Sequence, residues 1–335
     1  MLMHIGVIGA GSWGTTLAVV LNENGHAVTL WSYSVEDAES MRSTRRNAAY
    51  LPDLPIPERI HITTDLAEAS CGKDLLVLAT PAQHLRGILR AMDPGGLRRS
   101  ILVNVAKGIE TDTLFRMSEV VGEIAPDNAG DRYAILSGPS HAEEVSARKA
   151  TSVVAASKSP AVQRLVQHTF MTPYLRVYTS SDVVGVELGG AVKNVIAIGA
   201  GICDGAGFGD NTKAALITRG IAEIRRLGIA FGAEPHTFSG LSGLGDLIVT
   251  TMSRHSRNRF VGEEIGKGRP LPEILASMNM VAEGVATTRA ARDLARAAGV
   301  EMPITEQVHR ILFDGITPEE AVTELMMRQA KDETW

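Results

Sequence analysis

Cysteine is nearly absent from the chain, which has two in 335 residues, Cys71 and Cys203. They lie far apart and outside any CxxC or Cys/His spacing, which excludes a disulfide framework and a zinc site and fits a reducing compartment. His141, His168, His236 and His255 form no HExxH or related pattern, so no metal is assigned. Positive charge is not in excess either: the formal net charge is -5. Without a broad basic surface, nucleic acid is not an expected partner, and any anion must be held locally, which points to a small-molecule substrate. The first residues carry no basic region followed by an apolar stretch and a cleavage site, so a cytoplasmic protein is expected. Tandem repeats, low-complexity tracts and long charge runs are missing. One long apolar run, 183–202, has the length of a membrane span. It contains Glu187, Lys193 and five glycines. Each charge near a bilayer centre costs at least ~2.5 kcal/mol, so a helix buried in a soluble core is expected rather than stable membrane insertion.

A chain of 335 residues, 44% of them hydrophobic, can bury a large core and is long for one ordinary domain. The first half alternates short aliphatic runs (4–8, 27–31, 75–79, 101–105, 133–136 and 153–156) with amphipathic stretches (15–24, 83–92 and 113–124). That is the pattern of βαβ units on a mainly parallel sheet. Gly25 follows the first stretch as a helix C-cap glycine would. Beyond about residue 180 the strand signals stop, and 182–202, 211–227, 257–266, 287–298 and 317–329 read as helices. The expected architecture is an α/β Rossmann-like domain over 1–180 followed by an all-α domain over 181–335.

The first chemical signal is Gly9-Ala10-Gly11-Ser12-Trp13-Gly14, directly after a strand and opening a helix. Gly9 permits the turn, Gly11 lets the backbone approach a pyrophosphate, and Gly14 lets helix and strand pack closely; the helix N-terminus supplies donors. In that context the motif predicts dinucleotide binding. The second strand ends Trp31-Ser32-Tyr33, without the acid that usually grips the ribose of NAD. Tyr33 is placed at the cofactor, and Arg42, Arg45 and Arg46 tilt the choice towards NADPH. Glu36 and Asp37 keep NAD open, and a solvated helix face is the competing reading of the arginines.

Lys193 stands in the middle of the long apolar run, and lysine is seldom buried without reason. Desolvation, helped by a second cation, would let it exchange a proton near neutral pH. The alternative is a lysine that reaches solvent or pairs with Glu187. Asn194 beside it could orient a hydroxyl. Three loops carry further polar groups: 104–108 with Lys107, 136–142 with Gly138 and Ser140, and 240–246 with Asp246. The first two follow strands, so they should face the same crevice as the glycine-rich turn. Asp246 could hold Lys193 or contact substrate, or it could cap a helix over 247–252. The segment 253–259, with Ser256, Arg257 and Asn258, concentrates groups suited to a phosphate dianion.

Taken in order, GAGSWGTTLA, NAAYLPDLPIPERI, VAKGIE, LSGPSHAEEV, the block around Lys193, GLSGLGDLIVT and HSRNR resemble bacterial-type NAD(P)-dependent glycerol-3-phosphate dehydrogenase. The resemblance runs from about Ile5 to Gly284. It implies that Lys193 exchanges the proton with the substrate oxygen and that Lys107 contacts cofactor and substrate. Asp246 would orient the reacting end with Thr250 beside it. Gly138, Ser140, Ser256, Arg257 and Asn258 would line the substrate, with Arg257 the main anion contact. Ser12, Trp13, Ala142, Arg257, Val281 and Glu283 would touch NAD or NADP. The family often has His or Arg near Tyr33, which this chain lacks. It also implies reduction of dihydroxyacetone phosphate towards phospholipid synthesis, and a homodimer is the default assembly. Two other readings stay open: a hydroxy-acid dehydrogenase, separable by phosphate dependence, and a non-catalytic dinucleotide sensor.

Overall fold

Runs such as Leu75–Leu78, apolar on both faces, are satisfied inside a sheet covered on two sides. The computed structural model, which describes residues 2–278, 280–330 and 332–333, places them there. Its strands are β1 (His4–Ile8), β2 (Ala27–Trp31), β3 (Arg46–Asn47), β4 (Leu51–Pro55), β5 (His61–Thr63), β6 (Leu75–Leu78), β7 (Ile101–Asn104), β8 (Tyr133–Ser137), β9 (Thr151–Ala156) and β10 (Leu175–Ser180). Eight of them make one sheet in the order β10-β9-β8-β7-β6-β1-β2-β5, and β3 and β4 form a separate antiparallel ribbon. Neighbours in the large sheet run parallel except β8 and β9. The chain builds outward from β1 through β2 to β5, then crosses back to β6 on the other side of β1. The carboxyl ends of β1 and β6 therefore flank the topological switch point, where open α/β sheets bind ligands.

The glycine-rich turn sits at that point, between β1 and the helix Ser12–Glu23. Gly9 has φ +118°, and a Cβ on it would lie 2.7 Å from the Ala79 carbonyl oxygen beyond β6. A Cβ on Gly14 would lie 1.9 Å from the Gly9 carbonyl oxygen, so helix and strand touch through bare backbone. Gly25, at φ +84°, ends this helix region as expected.

After Ser180 the described residues carry only helices. Val183–Gly205 is capped by Asp182, whose Oδ1 accepts from the Gly185 N–H at 2.8 Å. It is long and apolar enough to cross a membrane, but 94% of its most apolar window is buried inside the fold. The helix Arg257–Gly266 crosses it at very close range. Cβ atoms on Gly201 and Gly205 would lie 2.0 and 2.1 Å from the carbonyl oxygens of Arg259 and Glu263, and one on Gly262 would lie 2.0 Å from that of Ile198.

Several boundaries moved: the first helix opens at Ser12 rather than 15, and the helix expected over 287–298 opens at Glu283. The stretch 113–124 becomes a helix only at Met117–Ile124. Before it, Thr113 Oγ1 donates to Glu110 and the Arg116 N–H to Glu119 Oε2 at 2.8 Å, which fixes a turn and starts the helix late. The stretch 83–92 opens as a 3₁₀ turn, Ala82–His84, before becoming α-helical at Leu85–Ala91. Several elements fall outside the expected ones, among them β5, β10, Leu271–Ala276 and Pro303–His309.

Candidate active site

The polar loops singled out in the sequence converge on Asp246. The chain passes through a π-type turn, Leu241–Gly245, straight into the helix Asp246–Met252, leaving the Asp246 side chain at the helix entrance. That side chain does not cap the helix. One oxygen accepts from Lys107 Nζ at 2.7 Å and the other from Lys193 Nζ at 2.9 Å. Lys193 Nζ also donates to Thr250 Oγ1 at 2.5 Å, and that hydroxyl donates to the Asp246 carbonyl oxygen at 2.6 Å. Lys107 Nζ donates to the Gly138 carbonyl at 2.9 Å, as does the Ser140 hydroxyl at 2.8 Å. Gly189 and Gly190 in the long helix admit these loops: a Cβ on the first would lie 2.6 Å from the Ser242 carbonyl oxygen and on the second 2.9 Å from Ser137 Oγ.

Burial decides the titration of Lys193, which is 5% exposed. Desolvation of its ammonium, resisted by Asp246 but reinforced by Lys107 and Arg257, brings its pKa down to about 8. Burial works against the Asp246 carboxylate, yet the two lysines outweigh it and hold the carboxyl below its usual range. Two cations, Lys107 and Lys193, thus share one carboxylate, which leaves a positive charge that an anionic substrate would balance. The anticipated alternative pair between Lys193 and Glu187 is not formed. Glu187 points away, accepting from Arg116 Nη1 (2.9 Å), the Ser118 N–H (2.8 Å), Ser118 Oγ (2.6 Å) and the Tyr133 hydroxyl (2.8 Å).

One cavity of about 690 Å³ joins this cluster to the switch point of the sheet. Gly9, Gly11, Ser12, Trp13, Gly14 and Tyr33 line one part of it, and Lys107, Ser140, Lys193, Asn194 and Asp246 another. Ser256, Arg257 and Asn258, at the start of the helix Arg257–Gly266, complete the wall with Val281 and Glu283. Arg257 Nη1 donates to the Val281 carbonyl at 2.9 Å, while Glu283 Oε1 accepts from the Ala82 N–H at 3.0 Å. Gly138 and Ala142 do not line the cavity. Gly138 presents its carbonyl to Lys107 from behind, and Ala142 is buried in the first turn of the short helix Ala142–Ser146.

The residues fit a dinucleotide. A Cβ on Gly11 would meet nothing within 4 Å, so that turn offers bare backbone to the cavity. Trp13 Nε1, Thr80 Oγ1, His141 Nε2 and Glu283 Oε2, all on residues of the cavity wall, are buried with no hydrogen-bond partner in the protein. The arginines read as favouring NADPH are used elsewhere. Arg42 Nε donates to the Ile62 carbonyl (2.9 Å), Arg45 pairs with Glu58 (2.9 Å), and Arg46 donates to the Pro52 carbonyl (2.9 Å). None of the three lines the cavity, so the preference for NADPH drawn from them loses its basis; Ser32, Tyr33, Ser34 and Asp37 stand there instead.

Sequence reasoning missed Thr80 and the paired rings of His141 and His255, whose centroids are 5.9 Å apart. Thr80 was within reach, since it follows a recognised strand at its carboxyl end. In the sequence His141 is noticeable only as a possible metal ligand, and His255 also as a member of the segment 253–259. Among the described residues no group of three or more His, Cys, Asp or Glu could hold a metal.

Residues 4–163 match the family model described as NAD-dependent glycerol-3-phosphate dehydrogenase N-terminus, and residues 182–323 match the corresponding C-terminus. The chain is 53% identical over 331 residues to a glycerol-3-phosphate dehydrogenase (NAD(P)+) of Syntrophotalea carbinolica, covering 99% of each chain. It is 52% identical over 335 residues to its counterpart of the same description in Geobacter sulfurreducens, covering all of both. Among solved structures it is similar to a glycerol-3-phosphate dehydrogenase from Coxiella burnetii, with a TM-score of 0.91 and 36% identity over 98% of this chain and 99% of that one.

Proposed function

The chain belongs to the NAD-dependent glycerol-3-phosphate dehydrogenase family, and from that premise we propose how its own residues carry out the reaction. It is an NAD(P)-dependent oxidoreductase that interconverts sn-glycerol 3-phosphate and dihydroxyacetone phosphate. The observation that supports the assignment of roles is the shared Asp246 carboxylate, which brings Lys107 and Lys193 together beside Arg257 in one cavity. A nicotinamide dinucleotide held at the glycine-rich turn Gly9–Gly14 would supply the hydride chemistry. Lys193, as the ammonium, donates a proton to the substrate oxygen while the carbonyl is reduced, and as the amine takes it back in the oxidation. Lys107 faces the same oxygen and stabilises the charge that develops on it. Asp246 and Thr250 hold Lys193 in position. Ser256, Arg257 and Asn258 hold the phosphate, whose binding fixes the carbinol carbon in place.

The strand-bearing half up to residue 180 is the dinucleotide half in this reading, and the helical half from 181 supplies most substrate contacts. We further propose the cytoplasm as its site, with the apolar helix buried in the fold rather than in a membrane, reduction feeding phospholipid synthesis as its direction, and a symmetric dimer as its assembly. A hydroxy-acid dehydrogenase would offer Ser256, Arg257 and Asn258 only a carboxylate, so dependence of the rate on the substrate phosphate separates the two readings. A sensor would leave the two lysines without a reaction.

The test is oxidation of NADH and of NADPH, followed at the nicotinamide absorbance, with dihydroxyacetone phosphate or unphosphorylated dihydroxyacetone. Rapid oxidation with the phosphate and not with the triose is expected. Equal rates with both triose forms would remove the phosphate role from Arg257.

A further inference from the structure

We infer that Asn47 is a positioning residue for dinucleotide binding that acts through the glycine-rich turn. It lies on β3, outside the cavity wall, and is 1% exposed. Its Nδ2 donates both to the Ala10 carbonyl and to Thr15 Oγ1, each at 2.8 Å. The Thr15 hydroxyl in turn donates to the same carbonyl at 3.4 Å. One primary amide has two N–H groups, so a single side chain can hold both partners.

The Ala10–Gly11 peptide is planar and trans, so its C=O and N–H point in opposite directions. Fixing the Ala10 carbonyl against the ribbon turns the Gly11 N–H the other way. Gly11 borders the cavity, with open space where a side chain would be. It is also the N-cap of the helix Ser12–Glu23 and makes no side-chain cap, so the opening amides remain for an anion. Asn47 engages the acceptor of the turn and leaves its donors to the pyrophosphate. The β3–β4 ribbon, whose connecting turn also brings Tyr50 to the cavity wall, thereby sets the geometry of the anion site. This inference rests on the dinucleotide reading above.

Asn47→Leu removes both N–H groups at similar volume. Calorimetric titration with NADH and with ADP-ribose should show each Kd raised about tenfold, the loss expected from hydrogen bonds totalling about 1.4 kcal/mol. At saturating NADH, kcat and the KM for dihydroxyacetone phosphate should stay within about twofold, and Thr15→Val, which keeps the bond to Ala10, should raise the NADH Kd by less than about threefold. A general loosening of the fold would instead raise the KM for dihydroxyacetone phosphate along with Kd, and that result would overturn the inference. So would an unchanged NADH Kd. Should Asn47→Leu fail to fold, Asn47→Ser is read the same way, because its hydroxyl is too short to reach Ala10. Wild-type protein that binds no NADH would sink the dinucleotide reading and this inference together, whereas binding that Asn47 variants leave untouched would sink this inference alone.

Discussion

A lysine ammonium buried in an apolar helix is costly, and here the cost is converted into a proton that can be moved near neutral pH. Lys193→Ala should lower kcat about 10²- to 10⁴-fold, the usual worth of a positioned acid or base, with NADH affinity nearly unchanged in a calorimetric titration. The sign of the pH dependence follows from the pKa of about 8. Reduction needs the ammonium, so kcat/KM for dihydroxyacetone phosphate should fall as pH rises through that value. Oxidation needs the amine and should rise over the same interval. An inflection retained in Lys193→Ala would assign the titration to another group. Lys193, Lys107 and Asp246 were all legible in the sequence, because a charge in an apolar run and polar groups in glycine-rich loops after strands each need a physical reason. Their arrangement was not legible. That Asp246 serves both lysines depends on a contact 139 residues away in the chain for Lys107, and no local pattern encodes it.

Among elements, the crossing of Val183–Gly205 with Arg257–Gly266 sets the distance between Lys193, the proposed proton donor, and Arg257, the proposed phosphate anchor. Glycines on both helices let the backbones meet, and Arg257 and Lys193 ride on the two partners. In Gly262→Ala the new Cβ would lie 2.0 Å from the Ile198 carbonyl oxygen, which a rigid helix backbone cannot relieve without shifting. Overpacking of this kind costs about 1–3 kcal/mol, measurable by denaturant unfolding. The displaced Arg257 should raise the KM for dihydroxyacetone phosphate about tenfold, within the range for a misplaced binding group. A destabilised variant with wild-type KM would separate the crossing from the site. Both helices were readable from their periodicity, as were β1, β2 and β6, whose apolar runs have plain turn signals at their ends. β5 and β10 were not: they are the two edge strands, paired on one side only with β2 and β9, and β5 has only three residues. Thr113–Arg116 failed for a related reason, since side-chain hydrogen bonds there outcompete helical propensity.

At the scale of the whole molecule, the cavity exists only while the sheet and the helical half hold one relation, and Glu187 is a principal fastener. Its carboxylate comes from the first third of the long helix and gathers donors from Arg116, Ser118 and Tyr133, all on the sheet side. Desolvation pushes the Glu187 carboxyl pKa up against the pull of Arg116 and the hydroxyl and amide donors, so the network is needed to keep the charge where it is. Glu187→Ala would leave Arg116, itself largely buried, paired with Glu119 alone among the described residues. Breaking one side of a buried pair costs about 3–5 kcal/mol, so the midpoint of urea unfolding should fall markedly. Glu187→Gln keeps an acceptor for Ser118 and Tyr133 and should lose less. The network is six residues from Lys193, about 9 Å along a helix axis, and touches none of the reacting groups. Under conditions where Glu187→Ala is folded, kcat should therefore remain close to wild type while the concentration of urea that abolishes activity drops. A variant of wild-type stability would mean that the apolar contacts between sheet and helices suffice to hold the cavity together.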